Sequence, residues 1–258
     1  MSLRQSRFSP PSFGFEEDPV SLVRALYVRR KYTSLPKGTR HHRFHPASPL
    51  GAGDFSQYIT PVLNSGADVL VLNHYGKDMV NSLTQAVQFG LRDKQVNGKN
   101  FEIIVPLYSR LMAQGAGKNI AGIYGTTNWN WSLQDEGSKQ FVKSFGAKYG
   151  FPPSQAAHTC YVQTLLYADA VERAGTFSPP EVIKALEGHK FDGMGNGPTE
   201  YRAADHQCFK KVLVVKGNEN PTSKFDLLEV VQEVPVEQIT YPAEKLGGDL
   251  GSSAARKC

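Results

Sequence analysis

Three short stretches carry side chains that could hold a small molecule. "NHYGK" groups Asn73, His74 and Tyr75, "VPLYSR" groups Leu107, Tyr108 and Arg110, and "GTTNWNW" groups Thr126, Thr127, Asn128 and Trp129. Their chemistry is recognition. Aromatic faces supply apolar contact area, and amides and hydroxyls fix orientation, which is the mixed lining of a small-molecule pocket. Of the two tryptophans, Trp129 is expected to face such a pocket and Trp131 to pack.

Bond-making chemistry has weaker support. In "RAADHQ", Asp205 and His206 are consecutive, so on a strand they point to opposite faces and cannot form a dyad with each other. The chain has no G-x-S-x-G, no P-loop and no G-x-G-x-x-G, so no catalytic residue is assigned and no cofactor is expected. His41, His42 and His45 in "HHRFH" have the i, i+4 spacing that shares an ion on a helix. The flanking "LPKGTR" and "PASP" disfavour a helix, and no metal ligand is assigned. The three cysteines, Cys160, Cys208 and Cys258, contain no C-x-x-C pair. They read as buried thiols, or as a Cys160–Cys208 disulfide if the protein works in an oxidising compartment.

The elements around these stretches alternate. "DFSQYITPVLNSG" predicts a helix capped by Asp54, with Pro61 expected to kink it or end it early. "ADVLVL" is a continuous apolar run of the kind buried on both faces of a parallel sheet. "KDMVNSLTQAVQFGL" follows with helical spacing. The rhythm recurs as "FEIIVPL" before a short helix near "LMAQ", and as "AGIYGTT" before "LQDEGSKQFVKSFGAKYG". Such alternation implies βαβ crossovers and an α/β fold, a Rossmann-like parallel sheet flanked by helices. Ligands of such sheets bind outside the carboxyl ends of the strands, which is where the three stretches fall. Further on, "TCYVQTLLYADAVERAG" reads as a helix closed by Gly175. "SPPEVIKALEG" reads as one opened by a Ser178–Glu181 capping box. Strands are expected around Glu200–Ala203, in "FKKVLVVKG" and in "DLLEVVQEV".

The 258 residues, 40% of them hydrophobic, suffice for one good core or two modest ones. The net charge of +5 is unevenly placed: residues 1–50 hold nine Arg and Lys against three acids, and the rest is near neutral. That argues against a nucleic-acid groove in the folded body. Residues 1–46 read as an irregular basic segment with one helix-like piece, "PVSLVRALYVRR". No apolar run reaches the roughly 18 residues needed to span a bilayer, and the start lacks the apolar core of a secretory signal.

Taken in order, "PLGAGDFSQYI" with "SGADVLVL", then "GIYGTTNWNW", "YADAVERAGTFSPPEVIKALEG" and "FDGMGNGPTEYRAADHQ" resemble the solute-binding proteins of branched-chain amino acid and amide ABC transporters, of type I periplasmic binding fold. The resemblance implies two Rossmann-like lobes joined by three crossovers, closing on a solute. Residues 47–150 would then be one α/β lobe, and 151–258 the helices returning to a partial first lobe, the hinge strands and the tail. Most of the N-terminal lobe would be lacking. It implies a non-enzymatic receptor, a permease partner and a periplasmic location, although a chain with this start would be expected inside the cell. A ligand-sensing regulatory domain acting through a protein partner is the alternative.

The resemblance also implies roles. Tyr75 falls where relatives place an aromatic ring on the solute, with Asn73 and His74 flanking it. Leu107 stands where amino-acid-binding relatives place a glutamate for the ligand's ammonium. An α-amino acid would leave that ammonium uncompensated, so Tyr108 and Arg110 suit an amide, an aromatic acid or another anion better.

Overall fold

The computed structural model describes residues 47–243. The helix-like piece of the basic segment, the His41–His45 stretch and Cys258 lie outside them. The sheet that positions the site has five strands: β1 Val69–Val71, β4 Glu102–Val105, β5 Tyr124–Thr127, β9 Val212–Gly217 and β10 Leu228–Val234, in that spatial order. β1, β4 and β5 run parallel, while β9 is antiparallel to both β5 and β10. The sheet is mixed, its parallel half flanked by helices. A hairpin, β2 Gln95–Val96 with β3 Lys99–Asn100, and a three-stranded sheet of β6 Lys190–Phe191, β7 Thr199–Tyr201 and β8 Cys208–Phe209 complete the strands.

Helix α1 (Ser56–Asn64) starts after Phe55. Asp54 does not occupy the cap; it stands one residue before it, and its carboxylate accepts from the Ser56 N–H. The Phe55 N–H is instead met by the Gln85 amide oxygen from helix α2 (Gly76–Gln88). α1 runs past Pro61 without ending. The carbonyl that loses its partner belongs to Gln57, which is exposed, so water can satisfy it and the cost falls. β1 departs from expectation in another way. It is half-buried and lies at the sheet edge, because it pairs with β4 alone.

Elsewhere side chains cap helices, and Gly175 falls where the sequence places it. Ser109 accepts from the Met112 N–H to open α3 (Arg110–Ala116), Asp135 from Ser138 to open α4 (Glu136–Tyr149), and Ser154 from Ala157 to open α5 (Gln155–Ala174). Gly150 and Gly175 close α4 and α5 in left-handed geometry. Helix α6 (Pro179–Leu186) starts where expected, but the Ser178 side chain makes no cap bond. The capping box is therefore not formed. A short helix α7 (Val236–Ile239) follows β10. No helix among the described residues is long and apolar enough to cross a membrane.

The core lies between the sheet and helices α1–α3. Phe55, Met79, Leu83, Val105, Met112, Ile120, Leu213 and Val215 are fully or nearly fully buried there. Close approach of backbone fixes one edge of it. A Cβ built on Gly217 would sit 1.8 Å from the Ile120 carbonyl oxygen, with Gly122 donating to the Gly217 carbonyl beside it. Gly217→Ala is expected to cost about 3 kcal/mol by forcing β9 away from that carbonyl. Gly146→Ala, inside α4 with open space around it, should gain about 1 kcal/mol. Urea denaturation of both variants checks the pair, and equal midpoints would contradict the packing described.

Candidate functional site

The carboxyl ends of β1, β4 and β5 lead into the three stretches singled out from the sequence, and the structure brings them to one edge of the sheet. Asn73 and Tyr75 are exposed, and Leu107 is 64% exposed. Across from them stands the start of α5. The Gln155 amide nitrogen lies 3.4 Å from the Tyr75 hydroxyl, and the Asn128 amide donates to the Thr159 hydroxyl at 3.0 Å. Two bonds thus span from sheet-edge loops to one helix N-terminal turn, and the other amide atom of Gln155, its oxygen, is buried without a partner. Gln155 and Thr159 carried no sequence signal, because their role depends on contacts 80 and 31 residues away.

Other expected wall residues turn inward. The Ser82 hydroxyl gives its proton to the Met79 carbonyl, so His74 Nδ1–H donates to the Ser82 oxygen at 2.9 Å and Nε2 accepts from Ser48 at 3.1 Å. Its ring also rests 4.9 Å from Phe55. Burial pushes the imidazole below its usual pKa against the opposing pull of Asp78. His74 is thus a neutral strut joining α2 to the chain before α1. The Thr126 hydroxyl is spent on the Pro106 carbonyl and that of Thr127 on the Trp129 carbonyl. Tyr108 is 1% exposed, packed against Gly125, its hydroxyl without a partner. Burial drives that phenol far above its ordinary range, so it stays neutral.

Trp129 corrects the expectation most clearly. It is 1% exposed and lies flat on His158, ring centroids 4.4 Å apart and planes within 3°, with Phe141 edge-on at 5.8 Å. Its indole donates to Ser138 Oγ at 2.9 Å, and Ser138 in turn donates to Asp135 at 2.8 Å. Trp131, expected to pack, lines an open groove instead. Cys160 and Cys208 are free and exposed. The expected disulfide is absent, and the alternative of buried thiols fails as well.

Behind this wall the crossing segments are tied together. Asn196, 1% exposed and at φ 63°, donates its amide to the Asn128 carbonyl at 2.6 Å and the Lys211 carbonyl at 2.9 Å. Its backbone N–H reaches Asp135 at 3.4 Å. Burial works against the Asp135 carboxylate, but the Ser138 and Asn196 donors hold it below its usual pKa. His158 Nε2–H donates to the Met194 carbonyl at 2.7 Å. Asp205 and His206 lie in a turn rather than on a strand, Asp205 paired with Arg202 and His206 2.9 Å from Glu187. Each is committed to a different partner.

A half-parallel sheet whose carboxyl-edge loops face the first turn of α5 is the arrangement of a ligand-binding α/β protein. The chain belongs to the periplasmic binding protein family, whose model matches residues 45–222. Among solved structures it is similar to an amino acid ABC transporter substrate-binding protein from Pseudomonas fluorescens, at 25% identity and TM-score 0.65, covering 78% of this chain and 52% of that one. A periplasmic binding protein from Burkholderia mallei gives 25% and 0.66, covering 77% and 51%. A branched chain amino acid ABC transporter periplasmic ligand-binding protein from Burkholderia xenovorans gives 25% and 0.62, covering 77% and 52%. The chain spans about half the length of these relatives.

The buried stack makes a pH prediction. Desolvation is the main cause lowering His158 to a pKa of about 4, from 6.5. The unfolded chain therefore binds a proton that the native ring refuses, and stability falls as pH drops through the window from about 6.5 to about 4, by about 3 kcal/mol in full. His158→Phe should remove that slope between pH 6.5 and 5, above the carboxylate range. Chemical denaturation at both pH values, wild type against variant, checks it; parallel slopes would contradict a neutral buried His158.

Proposed function

We propose that this protein is the solute-binding component of an ABC importer for branched-chain amino acids, amides or related small organic acids, acting in the periplasm and delivering its solute to a membrane permease. On this reading residues 47–150 form one α/β lobe, and 151–258 carry the returning helices, hinge strands and tail. The observation that carries it is the contact of exposed Tyr75 with Gln155 at the head of α5, on the sheet edge that also bears the exposed Asn73 and Leu107. Tyr75 supplies an apolar face and Gln155 an unspent amide oxygen, a pairing suited to a small molecule with one apolar and one polar end. Leu107 offers no charge for an ammonium, so the reading favours amides and organic acids over free α-amino acids. Tyr108, Thr126, Thr127 and Trp129, all buried, support the wall from behind.

Thermal unfolding with a panel of small amides, organic acids and amino acids tests the reading. A solute present at a hundredfold its Kd should stabilise the chain by about 2.7 kcal/mol, seen as a saturable rise in Tm. Tyr75→Ala should weaken that solute about tenfold, the loss of roughly 1.4 kcal/mol of aromatic contact. No saturable rise with any member of the panel would defeat the proposal.

A further inference from the structure

A buried cation without an anion lies beside the crevice. Arg110, at the head of α3, is 6% exposed. Its guanidinium donates to the Gln114 amide oxygen at 3.2 Å and the Pro152 carbonyl at 3.0 Å, and Nε has no partner. An arginine carries five N–H donors and stays protonated in proteins, so most of its donors are unspent and its whole charge is present. No carboxylate forms an ion pair with it among the described residues. Desolvation is what lowers its pKa, as expected of a charge removed from water with nothing opposite it.

Two of its neighbours lead outward. The Phe225 ring lies over the guanidinium at 5.4 Å, and Phe225 and Pro152 both line a groove of about 380 Å³ whose other walls include Trp131, Val142, Gly146 and Phe151. The groove is nearly all apolar and aromatic and falls within the size range of small-ligand pockets. A wall of rings with a cation at one end has the complementarity of an aromatic acid: offset stacking for the ring, charge-assisted hydrogen bonds for the carboxylate.

We propose that this groove binds a small aromatic carboxylate, its ring between Trp131, Phe151 and Phe225 and its carboxylate on the Arg110 guanidinium. The Phe225 ring now covers the guanidinium and turns aside as the carboxylate enters; it is carried on the loop between β9 and β10. The site is separate from the Tyr75 crevice and does not depend on the receptor reading.

Benzoate is the probe, titrated into the full chain while tryptophan fluorescence is followed, with neutral benzamide as the matched control. Benzoate should quench saturably, and benzamide should bind at least about tenfold more weakly. Arg110→Met should cost benzoate at least about tenfold, with circular dichroism confirming the fold. Gly146→Leu places a side chain where an added Cβ meets nothing within 4 Å; by filling the groove it should abolish quenching even if Arg110→Met fails to fold. Tyr75→Ala should leave benzoate affinity unchanged. Equal affinity for benzoate and benzamide, or full benzoate binding by Gly146→Leu, would overturn the proposal. Loss of benzoate in Tyr75→Ala would overturn it too, moving the ligand to the crevice and leaving the receptor reading intact.

Discussion

One side chain holds the crossing together. Asn196 spends both amide hydrogens on carbonyls of two different chain segments, Asn128 leaving the sheet and Lys211 returning to it. Only a short side chain on a backbone turned left-handed reaches both, and asparagine tolerates that conformation better than most residues. The neighbouring Gly195 has no room for a Cβ, which would fall 2.6 Å from Ser138 Oγ and 3.2 Å from the Trp129 indole nitrogen. The loop therefore presses its backbone onto the Trp129–His158 stack, and the stack fixes where α5 begins. Each hydrogen bond is worth about 1 kcal/mol net, but leaving either carbonyl buried and unpaired would cost more than the bond contributes. The knot is held mainly by the penalty for opening it.

The placement of α5 decides what the sheet edge can meet. Because Ser154 caps the helix and His158 is locked one turn later, Gln155 and Thr159 face the loops by geometry, not by their own preference. The edge then presents aromatic and amide groups around an uncharged centre, while Arg110, a buried cation, sits to the side behind Phe225. The crevice wall itself carries one electropositive feature, the N-terminal turn of a 20-residue helix.

The parts legible in the sequence are those decided within a few residues. Gly175 closes its helix as its place after an amphipathic run implied, and the alternation of strand and helix gave the fold class, while the caps at Ser109, Asp135 and Ser154, though local, were not read. The Asn97–Gly98 turn, with both residues at positive φ, was equally local and went unread inside "KQVNGKN", although it makes the β2–β3 hairpin. What stayed hidden depends on distance. Trp129 and Trp131 are two residues apart in the same polar loop, and nothing local says that His158 arrives to bury the first while Phe225 leaves the second open. Ser178 and Glu181 have the capping spacing yet do not use it. The α1 helix tolerates Pro61 because its orphaned carbonyl faces water, a fact about the surface and not about the residue.

The same helix that completes the crevice exposes apolar side chains on both sides of its buried stripe. Along α5 the buried positions are His158, Val162, Leu166 and Ala170, a strict spacing of four that leaves one narrow stripe inward. Tyr161, Leu165 and Tyr167 stay 38–50% exposed, joined by Phe177 and Ile183 from α6 and the turn before it. Twenty residues of helix extend about 30 Å, so the stripe and the Gln155–Tyr75 contact belong to one rigid rod. A force that tilts α5 at Tyr167 moves Gln155 at its other end. That rod is held behind the crevice by the His158 stack beneath the Asn196 knot, and farther along by the Tyr201 hydroxyl, which donates to Gln163 at 2.5 Å.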